Sequence, residues 1–382
     1  MPSEARPGRV VWVTGASSGI GLATALACAA RGDRLVLSSR APGPLEEAAR
    51  QCRAAGATDV LVAPLDIGDD DAVRAVGQRA RQRFGRLDVV VQNAGVAAYG
   101  RIDEVPAEVL EALFRTNVLG AAHVAGEAVR TFREQGDGVL VVVGSVLGRL
   151  TVPWMGAYNA SKFALRGLVR TMQQENRDVP GLRISLVAPG GVDTPIYDQS
   201  ATVLGRRNRP PYPVASPEHV AAKVLRAADT DQRWHRELDA GWANPAMKAA
   251  FALAPGIFDA LSRPAMRLLG FAPGRRPSGP GNVLAPQPDG EQLRQRRQRA
   301  NPARQARHRD KPQEDIGQDG EHPHGLAPAR FHQRPSGRCS AASVRIACSG
   351  TSHGSAGSSS SCCTDQASPS RHARGCATKA RS

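Results

Sequence analysis

The chain has 382 residues, seven cysteines and a formal net charge of +15, with 41% hydrophobic and only 4% aromatic residues. No uninterrupted apolar run of about 18 residues occurs, which excludes a membrane-spanning helix on length, and the cysteine spacings match no zinc pattern. The charge is unevenly placed: residues 274–382 hold 18 Lys/Arg against 8 Asp/Glu, ten of the fifteen excess positive charges.

In chain order, Arg9-Val10-Val11-Trp12-Val13 predicts a short buried strand. Thr14-Gly15-Ala16-Ser17-Ser18-Gly19-Ile20-Gly21 follows directly and leads into a helical run, Leu22 to Ala30. Glycines at a strand-to-helix turn let backbone approach a pyrophosphate, and the helix N-terminus offers unpaired N–H groups. The spacing Gly-x-x-x-Gly-x-Gly is not the commoner Gly-x-Gly-x-x-Gly, so its place between strand and helix gives it weight. Arg34 to Arg40 reads as the second strand, ending in Ser39-Arg40 where an acidic residue would hold the ribose hydroxyls of NAD. With no acid there, Arg40 can pair with a 2′-phosphate, which favours NADP(H) over NAD(H). The bland alternative is a surface arginine.

Val60 to Asp66 is a third strand, Asp69 to Phe84 a helix, and Leu87 to Gln92 a fourth strand closed by Asn93-Ala94-Gly95. One long helix is expected from Ala107 to about Arg133, with Asn117 inside it, and a valine-rich strand from Gly138 to Gly144, ending at Ser145. A helix from Ala157 to about Gln174 carries Tyr158 and Lys162 on one face, since residues four apart share a face. A free tyrosine is a poor acid or base partner at neutral pH; lowering its pKa by ~3 units takes about 4 kcal/mol, which a nearby ammonium helps supply. Arg183 to Ala188 is the sixth strand, followed by Pro189-Gly190-Gly191-Val192-Asp193-Thr194. Alternating strands and helices predict an α/β fold: a Rossmann-like, doubly wound parallel sheet of about seven strands with its ligand at the strands' C-terminal ends.

Ser216-Pro217-Glu218 opens a capped helix to about Ala228, Arg233 to Ala240 is the seventh strand, and Asn244 to Leu269 forms two helical pieces around Pro255 and Pro264. Residues 1–273 are expected to be the single domain. Beyond Pro273 the only aromatic is Phe331 and no apolar period persists, so 274–382 is expected to be a disordered basic tail. The tail lacks aromatics interleaved with its arginines, and no nucleic-acid partner is expected. No signal peptide is evident, and with Cys28 and Cys52 in the domain the expected compartment is the reduced cytoplasm.

Together, Thr14-Gly15-x-x-x-Gly19-x-Gly21, Asp66, Asn93-Ala94-Gly95, Asn117, Ser145, Tyr158-x-x-x-Lys162 and the turn from Pro189 to Thr194 closely resemble the classical short-chain dehydrogenase/reductase family, from about Arg9 to at least Thr194. The resemblance implies that Tyr158 is the acid/base, that Lys162 lowers its pKa and holds the nicotinamide ribose, and that Ser145 hydrogen-bonds the substrate carbonyl. It implies that Asn117 fixes a water joining Lys162 to solvent. Cofactor contacts fall to Gly15, Ser17, Ser18, Gly19, Ile20, Gly21, Ser39, Arg40, Asp66, Asn93, Ala94, Gly95, Tyr158, Lys162, Pro189, Gly190, Val192 and Thr194, with Asp66 at the adenine and Thr194 at the carboxamide; no metal is implied. The chemistry agrees independently, because reduction of a carbonyl builds negative charge on its oxygen and two hydroxyl donors there stabilise it. Gln92, where the family often has asparagine, and the doubled glycine at Gly191 are mild departures.

By the same resemblance, Pro195 to Pro213 is the variable substrate loop, whose Arg206, Arg207 and Arg209 are assigned to keeping a lid soluble rather than to an anionic substrate. Leu147, Trp154 and Met155 near the carbonyl site suggest a hydrophobic alcohol or ketone. A homodimer or homotetramer is implied, paired through the helices at 107–133 and 157–174. The alternative from another class is a non-catalytic NADP(H) sensor or scaffold with a partner-binding tail, against which the intact set of Asn117, Ser145, Tyr158 and Lys162 argues.

Overall fold

The computed structural model describes residues 8–230 and 236–294, all within one unit spanning 1–309. The remainder of the tail, from residue 295 on, lies outside the described residues. Seven strands form one sheet: β1 (Val10–Thr14), β2 (Arg34–Ser38), β3 (Asp59–Val62), β4 (Val89–Gln92), β5 (Asp137–Val143), β6 (Gly181–Pro189) and β7 (Arg236–Ala240). Their order across the sheet is β7-β6-β5-β4-β1-β2-β3, and every pairing is parallel. Residues 233–235 of the expected seventh strand lie outside the described residues.

Because strand side chains alternate between faces, strands apolar at every position must be covered on both sides. Trp12, Val36, Val90, Leu140 and Ile184 face one layer, with α3 (Asp70–Phe84), α5 (Ala121–Gln135) and α6 (Gly156–Glu175) packed on them through Val76, Phe132 and Val169. Val11, Val13, Leu35, Val91 and Val141 face the other, against α1 (Gly19–Ala29), α2 (Pro42–Ala54) and α8 (Pro217–Asp229) through Cys28, Leu45 and Val224. Cys28 and Cys52 are buried free thiols of this second layer. Among the described residues no helix is long and apolar enough to cross a membrane.

The long helix expected from Ala107 to Arg133 is interrupted. It consists of α4 (Ala107–Phe114), a π-helical turn (Arg115–Gly120) and α5. The turn lets Asn117 reach sideways: its amide oxygen accepts from Val96 N at 2.9 Å, and its Nδ2 donates to Val96 O at 2.9 Å and Ser161 Oγ at 3.1 Å. Tertiary hydrogen bonds of this kind outweigh the local preference for a regular helix, and π turns recur at functional sites.

The segment expected to be the variable substrate loop carries secondary structure of its own. After α7 (Ile196–Gln199), Ala201–Thr202 pairs with Ala98–Tyr99, and Arg206–Asn208 pairs antiparallel with Phe271–Arg275. Arg209 donates to the carbonyls of Leu268 and Leu269, capping the end of α10 (Pro255–Leu269), while α9 (Asn244–Leu253) precedes it. The break between these helices falls at Ala254, immediately before Pro255, and Pro264 is accommodated inside α10.

The composition puts the end of the domain at Pro273, and the described chain continues in contact with it beyond that residue. Residues 274–294 pack on the domain: Gly279 exchanges backbone hydrogen bonds with Thr202, Arg276 donates to Tyr197 O at 3.0 Å and Ser200 O at 2.9 Å, and Val283 is buried. Hydrogen bonds and one buried valine tie down a stretch whose composition lacks any apolar period.

Candidate active site

The C-terminal ends of β1, β2, β4, β5 and β6 open onto one cleft. At its centre, Thr14 Oγ1 accepts from Asn93 N at 3.0 Å and Ala94 N at 3.1 Å, and Asn93 Nδ2 donates to the carbonyls of Thr14 and Gly15. This staples β4 to β1 at the point where the strand order reverses, the usual ligand position in open α/β sheets. Gly15 has φ +63, and a Cβ on it would lie 2.9 Å from Ala94 Cα; a Cβ on Gly21 would lie 2.0 Å from the Gly15 carbonyl oxygen. Both positions therefore require glycine for the turn to close under the cleft.

The cleft is lined by Gly15, Ser17, Ser18, Gly19, Ile20, Ser39, Arg40, Asp66, Asn93, Ala94, Gly95, Ser145, Tyr158, Lys162, Pro189, Gly190, Val192 and Thr194. Every residue singled out from the sequence is among them except Gly21, which packs beneath the turn, and Asn117, which stands behind Gly95 and is 1% exposed. Ser18 begins α1 without using its hydroxyl as a cap. Serine hydroxyls, the first turn of a helix and an arginine at the end of β2 form a donor set for phosphate, so the residues present fit a dinucleotide.

Tyr158 and Lys162 stand four residues apart on α6. The ammonium lies 5.6 Å from the phenol ring centroid and donates to Val143 O at 3.5 Å. Burial pushes the Tyr158 phenol up to about 12, against a smaller downward pull from its hydrogen bond with Ser145. Burial likewise brings the Lys162 ammonium down to about 8. In the chain by itself desolvation disfavours both charged forms, raising the phenol and lowering the ammonium. Ser145 Oγ also accepts from Leu147 N at 3.1 Å, which fixes the hydroxyl at the end of β5.

A second cavity, of about 610 Å³, meets the first. Ser145, Tyr158, Gly190, Ile196 and Tyr197 belong to both walls. The remainder of the second wall is largely apolar, drawn from Leu147, Met155, Met247, Phe258, Leu261 and Met266. The expected Leu147 and Met155 are thus present, whereas Trp154 packs edge-on against Phe271, 5.8 Å between ring centroids. Sequence reasoning missed the helical contribution of α9 and α10. It also missed Asn282 and Glu291, which line the cleft from beyond the expected domain end. No local pattern marks these two; only long-range contacts bring them in.

A family model described as short chain dehydrogenase matches residues 9–203. The human protein called dehydrogenase/reductase SDR family member 7 is 37% identical over 194 residues, 50% of this chain and 57% of that protein, so the match spans little more than half of the relative's length. Among solved structures, a short-chain dehydrogenase/reductase from Burkholderia phymatum in complex with NAD is 28% identical, with a TM-score of 0.58 over 65% of this chain and 95% of that one. An alcohol dehydrogenase from the archaeon Thermococcus sibiricus complexed with 5-hydroxy-NADP is 29% identical, with a TM-score of 0.53 over 60% of this chain and 95% of that one. With a family model matching half of its length and the family's motifs gathered around one cleft, the chain belongs to the short-chain dehydrogenase/reductase family of oxidoreductases.

Proposed function

We propose that this protein interconverts a hydrophobic ketone or aldehyde and the corresponding alcohol, using NADP(H) in preference to NAD(H). Ser145 and Tyr158 stand on the wall common to a phosphate-donor cleft and an apolar cavity, and on that shared wall the proposal rests. When bound, the nicotinamide supplies or accepts the hydride. Tyr158 gives the proton to the carbonyl oxygen in reduction and takes it in oxidation, and Ser145 donates a second hydrogen bond to the same oxygen. Lys162, buried beside the phenol, binds the nicotinamide ribose and returns the proton. Asn117 holds the turn after β4 in place and so positions Lys162 across Gly95. Thr194 is assigned to the carboxamide and Asp66 to the adenine.

Ser39 and Arg40 follow β2 where an acidic residue would hold the ribose hydroxyls of NAD, and this supports the 2′-phosphate. The largely apolar second cavity supports a bulky, uncharged substrate. Arg209 caps α10, a structural task distinct from the solubilising one expected of the loop's arginines. The buried free thiols Cys28 and Cys52 fit a reduced compartment such as the cytoplasm. A homodimer or homotetramer paired through α4–α5 and α6 completes the proposal.

The test follows absorbance at the NADPH band with a panel of ketones and aldehydes, repeated with NADH. NADPH should be consumed faster than NADH, and Tyr158→Phe should cut turnover by about 10²-fold or more while still binding cofactor. Full turnover by Tyr158→Phe would overturn the role given to the phenol.

A further inference from the structure

The end of the described chain lies in the cleft itself. Gly19 is the first residue of α1, and its amide donates to Gln292 O at 3.0 Å. The Ser17 hydroxyl faces the Glu291 carboxylate closely enough to favour its charged form. The Arg40 guanidinium donates to the carbonyls of Asn282 and Val283 and faces Glu291. Three donors that a dinucleotide's phosphates would use are therefore already engaged by acceptors of the same chain. The free volume left in the cleft is about 190 Å³, below the ~300 Å³ at which small-molecule sites begin.

We propose that residues 282–292 form an intramolecular strap that competes with the dinucleotide, with the Glu291 carboxylate standing where a cofactor phosphate would sit. This rests on the dinucleotide assignment above and adds a determinant of cofactor affinity to it. The strap is held at both ends: Val283 is buried at one, and at the other Arg294 pairs with Glu218 at 2.9 Å and approaches Asp193 at 4.0 Å. Between them, residues 284–289 are exposed and span the gap without burying side chains. The hold is incomplete, because Glu291 Oε2 is buried without a hydrogen-bond partner. A buried carboxylate oxygen left unpaired is unfavourable, and a phosphate entering beside it meets like charge. Both effects favour exchange of the strap for a ligand that satisfies Gly19, Ser17 and Arg40 together.

The experiment titrates NADPH into the full chain and reads Kd from nucleotide fluorescence, with Gly19 amide exchange followed in the cofactor-free protein. Glu291→Ala removes the phosphate mimic, and Arg294→Ala loosens the strap from outside the cleft. Each should lower the Kd for NADPH by about five-fold or more, a typical coupling between competing states, and speed exchange at Gly19. An unchanged or raised Kd in both variants, with NADPH still bound, would overturn the strap while leaving the dinucleotide site intact. Failure of the wild type and both variants to bind either NADPH or NADH would overturn both.

Discussion

The phenol and ammonium on α6 show how far residue identity goes. Tyr158-x-x-x-Lys162 is legible in the sequence, and so is the hydroxyl at Ser145, because each ends or begins a strongly patterned element. The direction in which burial moves their pKa values is not legible, since desolvation depends on neighbours brought together only by the fold. With the phenol at about 12 and the ammonium at about 8, Tyr158 is protonated at neutral pH and Lys162 is neutral well before the phenol ionises. At about pH 11, where an ordinary tyrosine is mostly ionised, the difference spectrum between the cofactor-free wild type and Tyr158→Phe should show little phenolate. Lys162→Met should leave that spectrum unchanged, because no ammonium remains at that pH to stabilise the phenolate; a phenolate band lost on this substitution would show that the charge persists. The lysine also sets a sign for stability. Between about 8 and 10.5 the unfolded chain keeps a proton that the folded one has lost, so this group's contribution to stability rises with pH across that window.

At the scale of elements, the local signals worked where they were complete. α3 has Asp69 as N-cap, its side chain accepting from Ala72 N at 3.0 Å, acidic residues in the first turn, arginines in the last, and Gly85 at φ 81 as the left-handed stop. All of these are visible in the sequence, and the expected bounds match. Asp69→Ala should destabilise the protein by about 1 kcal/mol, seen as a lower urea midpoint with an unchanged slope; no shift would mean that the cap is redundant with the packing of Val73 and Val76. α2 went unread because its mean pattern is polar, with only Leu45, Ala48, Ala49 and Cys52 buried. The helix carrying Asn117 was read as continuous because nothing local announces the π turn. Val96 and Ser161, far away in sequence, hold the side chain that bends it.

For the whole molecule, Leu119 on the π turn and Phe163 on α6 are 55% and 39% exposed, on the two helices through which pairing is proposed. Contiguous exposed apolar surface marks association sites, and pairing through these helices would cover both side chains. Sedimentation velocity should give a dimer or larger for the wild type, and Leu119→Asp with Phe163→Asp should shift it toward monomer. A monomeric wild type at micromolar concentration would sink the proposal. The sequence by itself determined the doubly wound sheet and twenty candidate residues, of which all but Gly21 and Asn117 line the cleft, because continuous apolar strands, glycine turns and helix caps are local properties that each stretch carries alone. The tertiary structure alone decided that burial holds Tyr158 protonated, that α9 and α10 close an apolar cavity over it, and that a polar stretch ending at Arg294 returns to the phosphate end of the cleft. Those outcomes depend on contacts between residues hundreds of positions apart, whose energies no local window of sequence contains.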